Sequence, residues 1–200
     1  MDEIVLRGMA KWPNVPAVYG WLALDRRGNW LIKGSRVGNP IVAEFIGRNY
    51  ARDAEGRWYF QNGPQRVFVE LAYTPLVYRL QALPATHGCE LRAHTGQTAQ
   101  AARAACIDEA ETFVVDTDLG PGVIDDRDLA QLPAYLVGAG GHALDDDALI
   151  EAMQAPERAA LGLRYRDATI PVRTIRSDEV GTRFDFIARP EPPPGVEACS

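Results

Sequence analysis

The chain has 200 residues, 46% of them hydrophobic and 24% charged, with a formal net charge of −6. That suffices for a proper core in one generous domain or two small ones, and the absence of any apolar run of about 18 residues excludes a helical membrane span. Three scattered cysteines, Cys89, Cys106 and Cys199, form no C-x-x-C pair, which argues against a disulfide framework and for a reducing compartment. Met1-Asp2-Glu3 starts acidic, without the basic region of a secretory signal, so the expectation is a cytoplasmic protein.

Charge is uneven along the chain. Residues 1–84 carry 11 Lys+Arg against 7 Asp+Glu, and residues 85–200 carry 10 against 20. The first half, at +4, is therefore the surface better suited to an anionic ligand. No basic stripe of the kind that binds duplex DNA is present.

In chain order, a loose start leads to Trp12-Pro13-Asn14-Val15-Pro16, which reads as extended because each Pro restricts itself and its predecessor. Tyr19–Leu24 and Trp30–Ile32 read as strands joined by the turn Asp25-Arg26-Arg27-Gly28-Asn29. Gly34 and Gly38 punctuate a loop. Asn39 as N-cap and Pro40 at the first position open a helix. Ile41, Phe45, Val42 and Ile46 are expected on its inner face, and Arg48-Asn49-Tyr50 at its end. Arg57 to Val69 then reads as a hairpin turning at Asn62-Gly63. Leu76–Leu80 is one more strand, and Leu83–Gly88 a linker.

Beyond it, Cys89–His94 reads as a strand and Ala99–Ala105 as helix or strand. Thr112–Asp116 is a strand with high β propensity. Gly120-Pro121-Gly122 is expected to break the chain before a helix over Asp125–Val137, kinked at Pro133. Asp145–Gln154 is a shorter helix. Leu161–Tyr165, Ile170–Arg176 and Arg183–Ile187 read as strands, and the Pro-rich tail from Pro190 as mobile.

One pattern recurs: Asp, two residues, Gly, one residue, Trp and two apolar residues, at Asp25–Ile32 and Asp53–Phe60. A weaker copy runs from Asp108 to Val115. The first and third copies precede a Gly-rich break and an expected helix, which suggests duplication.

Gly28-Asn29-Trp30-Leu31-Ile32-Lys33-Gly34, Val37-Gly38-Asn39-Pro40, Asp53-x-x-Gly56-Arg57, His94-Thr95 and Asp125-Asp126-Arg127-Asp128-Leu129 together resemble an uncharacterised proteobacterial family of unknown function. The resemblance spans roughly Trp12 to Leu136. A related group of unknown-function proteins shares the aromatic hairpin and the Gly-x-Pro helix start. That likeness implies a duplicated α+β core, a pleckstrin-homology-like C-terminal half, a nucleotide-like ligand at the interface of the halves and a signalling role.

Signatures of chemistry are weak. His87-x-Cys89 with His94 lacks the fourth ligand and the spacing of a zinc site, so no metal is expected. Asp125-Asp126-Arg127-Asp128 and Asp145-Asp146-Asp147 sit at helix starts, where carboxylates cap and meet the dipole. Gly34-x-x-x-Gly38 lacks the Lys-Ser/Thr of a phosphate-binding loop, and no nucleophile elbow is present. The best constellation is Arg48, Asn49 and Tyr50 with Arg57, Gln61, Asn62, Gln65 and Arg66. Guanidinium forks suit phosphate or carboxylate, and amides read polar edges. His94 and Arg127 would approach from the second half.

The expected architecture is therefore α+β: an N-terminal half over residues 1–84, a related C-terminal half over 85–190 and a tail over 191–200, with mostly antiparallel sheets each carrying a packed helix. The expected function is non-enzymatic binding or regulation, with a small anion at the interface of the halves, a nucleotide-like molecule being one reading. No cofactor and no membrane are expected, and a second copy of the chain is kept open as a partner. The rival is an enzyme using Asp116, Asp128 or His94 as acid or base. A third reading is a protein-interaction module that pairs through the hairpin edge.

Overall fold

The computed structural model describes residues 1–12, 15–84 and 86–193. It is a mixed α+β fold with two sheets and few helices. The backbone separates into two units. One comprises Met1–Pro75, His94–Gly96 and the described residues from Asp185, and the other Leu76–Ala93 and Gln97–Phe184.

In the first unit, α1 (Glu3–Lys11) precedes β1 (Val18–Leu24), β2 (Trp30–Ile32) and β3 (Ser35–Arg36). α2 (Pro40–Arg48), β4 (Tyr50–Arg52), β5 (Trp58–Asn62) and β6 (Gln65–Leu71) follow. The sheet order is β3-β2-β1-β6-β5-β4, antiparallel except for the parallel pair β1–β6. Alternation along β5 gives the sheet two aromatic faces. Tyr59 meets Phe68, which stacks on Tyr19 at 4.7 Å. Phe60 faces Phe45 of α2 at 5.6 Å.

The second unit is a closed barrel. β7 (Leu76–Leu83), β8 (Gly88–Ala93), β9 (Ala102–Ile107), β10 (Phe113–Thr117) and β11 (Gly120–Ile124) come first. β12 (Leu136–Val137), α3 (Asp146–Gln154), β13 (Gly162–Tyr165), β14 (Ala168–Thr174) and the single turn α4 (Val180–Arg183) complete it. The run β13-β14-β9-β10-β11-β7-β8 returns to β13 through Tyr165 and Cys89, so seven strands close, with β12 added on β13. Closure leaves these strands without a free edge.

The Asp-opened turn is built the same way three times. Asp25 Oδ1 accepts from Arg27 N and Asn29 N at 2.9 and 2.8 Å. Asp53 Oδ1 accepts from Glu55 N and Arg57 N at 3.1 and 2.9 Å, and Asp108 Oδ1 from Ala110 N and Thr112 N at 2.9 and 2.8 Å. The fourth residue is left-handed each time: Gly28 at φ 76°, Gly56 at 80° and Glu111 at 59°. An L-residue there costs about 1–2 kcal/mol, partly offset by glycine's greater unfolded freedom. Glu111→Gly should therefore raise stability by about 0.5–1 kcal/mol in a denaturant melt.

Several expectations are corrected. The loose start is helix α1, held by Asn49 Oδ1 accepting from Asp2 N at 2.7 Å and by Arg48 against Asp2. Ile41 and Val42 are exposed, at 73% and 40%, and α2 buries Ile46 and Gly47 instead. The hairpin turns at Gly63-Pro64, because Asn62 pairs with Gln65. Pro64 cannot take positive φ, which excludes a type I′ turn and leaves the II′ pattern with Gly63 at φ 57°. The I′ signature falls instead at Lys33-Gly34, both at positive φ, between β2 and β3.

The ends of the supposed linker, Leu83 and Gly88, pair as the last residues of the β7–β8 ladder, Ala85 lying outside the described residues, and Gly120-Pro121-Gly122 is strand β11, hydrogen-bonded on both sides. The helix expected over 125–137 is two short 3₁₀ turns, Asp126–Asp128 and Leu132–Tyr135, followed by β12; Pro133 lies in the first positions of the second turn rather than at the break. Arg183–Ile187 is not a strand; only Ile187 bridges to Arg57. Helices are not packed on each sheet as expected, since the second unit closes on itself. Part of the tail, residues 194–200, lies outside the described residues, as do Pro13 and Asn14.

Candidate functional site

The β5–β6 hairpin does not end in solvent. α1 lies on its tip, so that a Cβ on Gly8 would sit 3.5 Å from Gly63 Cα and Pro64 Cδ. Between the end of α1 and the hairpin is a cleft of about 460 Å³, lined by Met9, Trp12, Val15, Ala17, Gln61, Pro64 and Arg66. Gln61 and Arg66 are direct cross-strand partners and so project on one face, with Tyr59.

Gln61 is 1% exposed. Its Nε2 donates to Gly63 O at 2.9 Å, while its Oε1 has no hydrogen-bond partner. An unmet buried acceptor costs roughly 1–3 kcal/mol, which a donor reaching it would recover. Arg66 is exposed, and its guanidinium lies over the Tyr59 ring at 4.8 Å, with no ion pair among the described residues. Trp12 is 57% exposed, with Lys11 Nζ 5.7 Å from its ring centroid. One cation, Arg66, an aromatic plane and a buried carbonyl oxygen thus share one cleft, with Lys11 beside the Trp12 ring.

The other expected residues have different surroundings. Asn62 and Gln65 alternate to the opposite face, and Gln65 Nε2 donates to Pro16 O at 3.2 Å. Arg48 is engaged by Asp2 at 3.3 Å and Glu44 at 3.8 Å, and it holds the Asp2 carboxyl below its usual range. Asn49 is fully buried and donates to Phe45 O. Arg57 is clamped by Asp53 and Glu55, at 2.7 and 2.6 Å, beneath Phe68. Gln65, Arg48, Asn49 and Arg57 thus spend polar groups within the fold.

Tyr50 and His94 are brought together in an aromatic group with Trp30 and Trp58. Tyr50 donates to Pro75 O at 3.1 Å, and burial pushes its hydroxyl well above the usual phenol range. Burial pulls the His94 imidazole down to about 3, so it is neutral at physiological pH and brings no charge to an anion. His94 belongs to the first unit; Arg127 belongs to the second, where it is ion-paired to Asp125.

Of the carboxylates weighed for chemistry, Asp125, Asp128 and Asp145 hold structural hydrogen bonds, whereas Asp116 has only a distant Arg103. Asp125 and Asp145 accept from Arg127 N and Ala148 N at helical starts. Asp118 accepts from Gln100 N and Ala101 N. Asp116, half-buried and 3.9 Å from Arg103, is raised by burial. Among the described residues no three His, Cys, Asp or Glu side chains are grouped as a metal would require.

Asp128, 1% exposed, accepts from Arg79 at 2.7 and 2.8 Å and from Leu80 N at 2.9 Å. The Arg79 hydrogen bonds hold its carboxyl below the usual value of 3.8. The stabilisation is therefore present above pH 3.8 and is lost as pH falls below it. Asp128→Asn should cost about 1–3 kcal/mol at pH ~7 in urea unfolding, the gap to wild type closing on acidification.

Trp12 and Met9 were legible as helix-spaced with Val5 and Gly8, but the short α1 hid them. Three arginines of the second unit, Arg103, Arg173 and Arg183, also line one cleft, and no sequence motif joins them.

Comparison with known proteins adds the fold and a family. The DUF2944 family model, described as "Protein of unknown function (DUF2946)", matches residues 1–191. A DUF1285 family protein from Silicibacter pomeroyi DSS-3, solved at 2.50 Å, is similar with a TM-score of 0.54 and 16% identity, over 79% of this chain and 82% of that one. Another, from Shewanella baltica OS155 at 1.40 Å, gives 0.44 at 10% identity, over 55% of this chain and 87% of that one. At 16% identity the first likeness concerns fold alone. No curated protein matches the sequence. Among the described residues no helix is long and apolar enough to cross a membrane.

Proposed function

We propose that this chain, which belongs to the DUF2944 family, binds a small anionic ligand of nucleotide-like chemistry in the cleft between α1 and the β5–β6 hairpin. One observation carries the reading: a fully buried Gln61 with an unmet Oε1 lines the same cleft as Arg66, a cation with no ion pair among the described residues. Arg66 receives a phosphate or carboxylate, Gln61 accepts from an N–H of the ligand, and the Trp12 ring offers a stacking plane. None of the described lining residues carries a carboxylate, imidazole, thiol or hydroxyl, which favours binding over chemistry. A signalling role, and the pleckstrin-homology-like description of the second unit, belong to the same proposal; the latter is supported by the closed barrel.

A thermal-shift screen with nucleotides tests it. A ligand at 100 times its Kd adds about 2.7 kcal/mol. Arg66→Glu should weaken the hit about 10- to 100-fold while leaving the unliganded melt within about 0.5 kcal/mol, as expected for an exposed side chain. A flat screen retires the nucleotide reading, and a hit indifferent to Arg66→Glu retires the site.

A further inference from the structure

A cleft of about 680 Å³ lies against β9, β14 and α4 of the second unit. Its floor is small: Ala104 and Cys106 on β9 and Pro171 on the neighbouring β14 leave space where larger side chains would fill it. Arg103 and Arg173 from those strands, and Arg183 from α4, line the same cleft. Such convergence of three long cations on one hollow calls for counter-charge.

The nearby acids supply it only in part: Arg173 acts on Glu157, and Arg103 and Arg183 on Asp116, through space rather than in close ion pairs. Glu157 is turned to Thr174, accepting from its N at 2.6 Å and its hydroxyl at 2.9 Å. Asp178 is held by Arg176 at 3.1 Å. Arg103 has only the long 3.9 Å approach to Asp116, and it donates to Thr117 O at 3.0 Å. Arg173 and Arg183 are exposed and form no ion pair among the described residues. Glu179 is the one lining carboxylate left, against two guanidinium forks without an ion pair among the described residues, that of Arg183 lying 5.9 Å from the Phe184 ring centroid.

We propose that this cleft is a second binding site, taking a small organic oxyanion, a phosphate or a carboxylate. Arg173 and Arg183 grip the oxyanion, and an apolar body rests on Ala104, Cys106 and Ile175. Two forks that meet a planar or tetrahedral oxyanion each form two parallel hydrogen bonds, which explains arginine rather than lysine at both positions. The site is built from residues other than those of the hairpin cleft, and neither reading depends on the other.

Pyrophosphate and citrate, titrated separately at low ionic strength into ¹⁵N-labelled full-length protein, are the probes. Saturable shifts confined to residues 102–107, 168–175 and 180–183 are expected. The double variant Arg173→Gln/Arg183→Gln should bind at least about tenfold more weakly, with an unchanged melt because both side chains are exposed. Arg158→Gln, an exposed arginine outside the cleft, should bind as wild type, and so should Arg66→Glu. Tighter pyrophosphate binding assigns the phosphate class and tighter citrate binding the carboxylate class. Binding of neither anion below about 1 mM, unaltered binding in the double variant, or an equal loss in Arg158→Gln would overturn the proposal.

Discussion

Gly122→Ala is expected to cost about 3 kcal/mol or more, enough to unfold a marginal barrel. A Cβ at Gly122 would lie 2.4 Å from Tyr78 Cε2, 2.6 Å from Cδ2 and 2.9 Å from Leu76 Cβ. The ring cannot swing aside. Tyr78 is fully buried, its hydroxyl donates to Gly120 O at 2.9 Å and it shares a 2.7 Å hydrogen bond with the Thr117 hydroxyl. The backbone cannot retreat either, since Gly122 is paired with Leu76 in the parallel β7–β11 ladder. Tyr78→Leu in the Gly122→Ala background should recover part of the loss, giving a coupling of about 1 kcal/mol or more in a double-mutant cycle. Additive effects would mean that the overlap is not the cause.

Gly56→Ala should cost about 3 kcal/mol in the first unit, from two sources. At φ 80° an L-residue costs about 1–2 kcal/mol, and the new Cβ would stand 2.6 Å from Asp185 O. Ile187 N donates to Gly56 O at 3.0 Å and Leu71 N to Ala188 O at 2.8 Å, so the clash pries the 185–188 segment from its unit. Gly34→Ala is the control, because its φ of 78° is nearly the same and nothing lies within 4 Å of its Cβ. The difference between the two urea melts isolates the overlap, about 1–3 kcal/mol, and faster proteolysis after Ile187 should accompany only Gly56→Ala. Equal losses would assign the whole effect to backbone conformation.

These two glycines show where the sequence was readable and where it was not. Local chemistry was legible: the Asn39-Pro40 start, with Asn39 Oδ1 accepting from Ile41 N at 2.9 Å, and the Asp-opened turns follow from side chains near in sequence. Gly56 was readable as a turn glycine, but not as the seat of a segment more than 120 residues away. Gly120-Pro121-Gly122 carries breaker residues, yet forms a strand because the Tyr78 ring occupies the space a side chain would need. Closure of β8 on β13 is equally non-local and left no trace in the pattern.

The candidate site was half legible. The rim from Gln61 to Arg66 was marked by its polar residues around a turn, but the cross-strand pairing divides it, grouping Gln61 with Arg66 and setting Asn62 with Gln65 on the other face. Arg48 looked like a ligand group because its partner Asp2 lies 46 residues away, and Arg57 and Arg127 because Asp53 and Asp125 were read as serving a turn and a helix start alone.

Binding at the hairpin is tested most directly by ¹⁵N NMR of the Gln61 side-chain amide and the Trp12 indole during titration with the strongest nucleotide hit. Both signals should move together and saturate, and Arg66→Glu should abolish the movement. Resonances that stay still while the ligand binds, or that move equally in Arg66→Glu, would contradict a site between α1 and the hairpin.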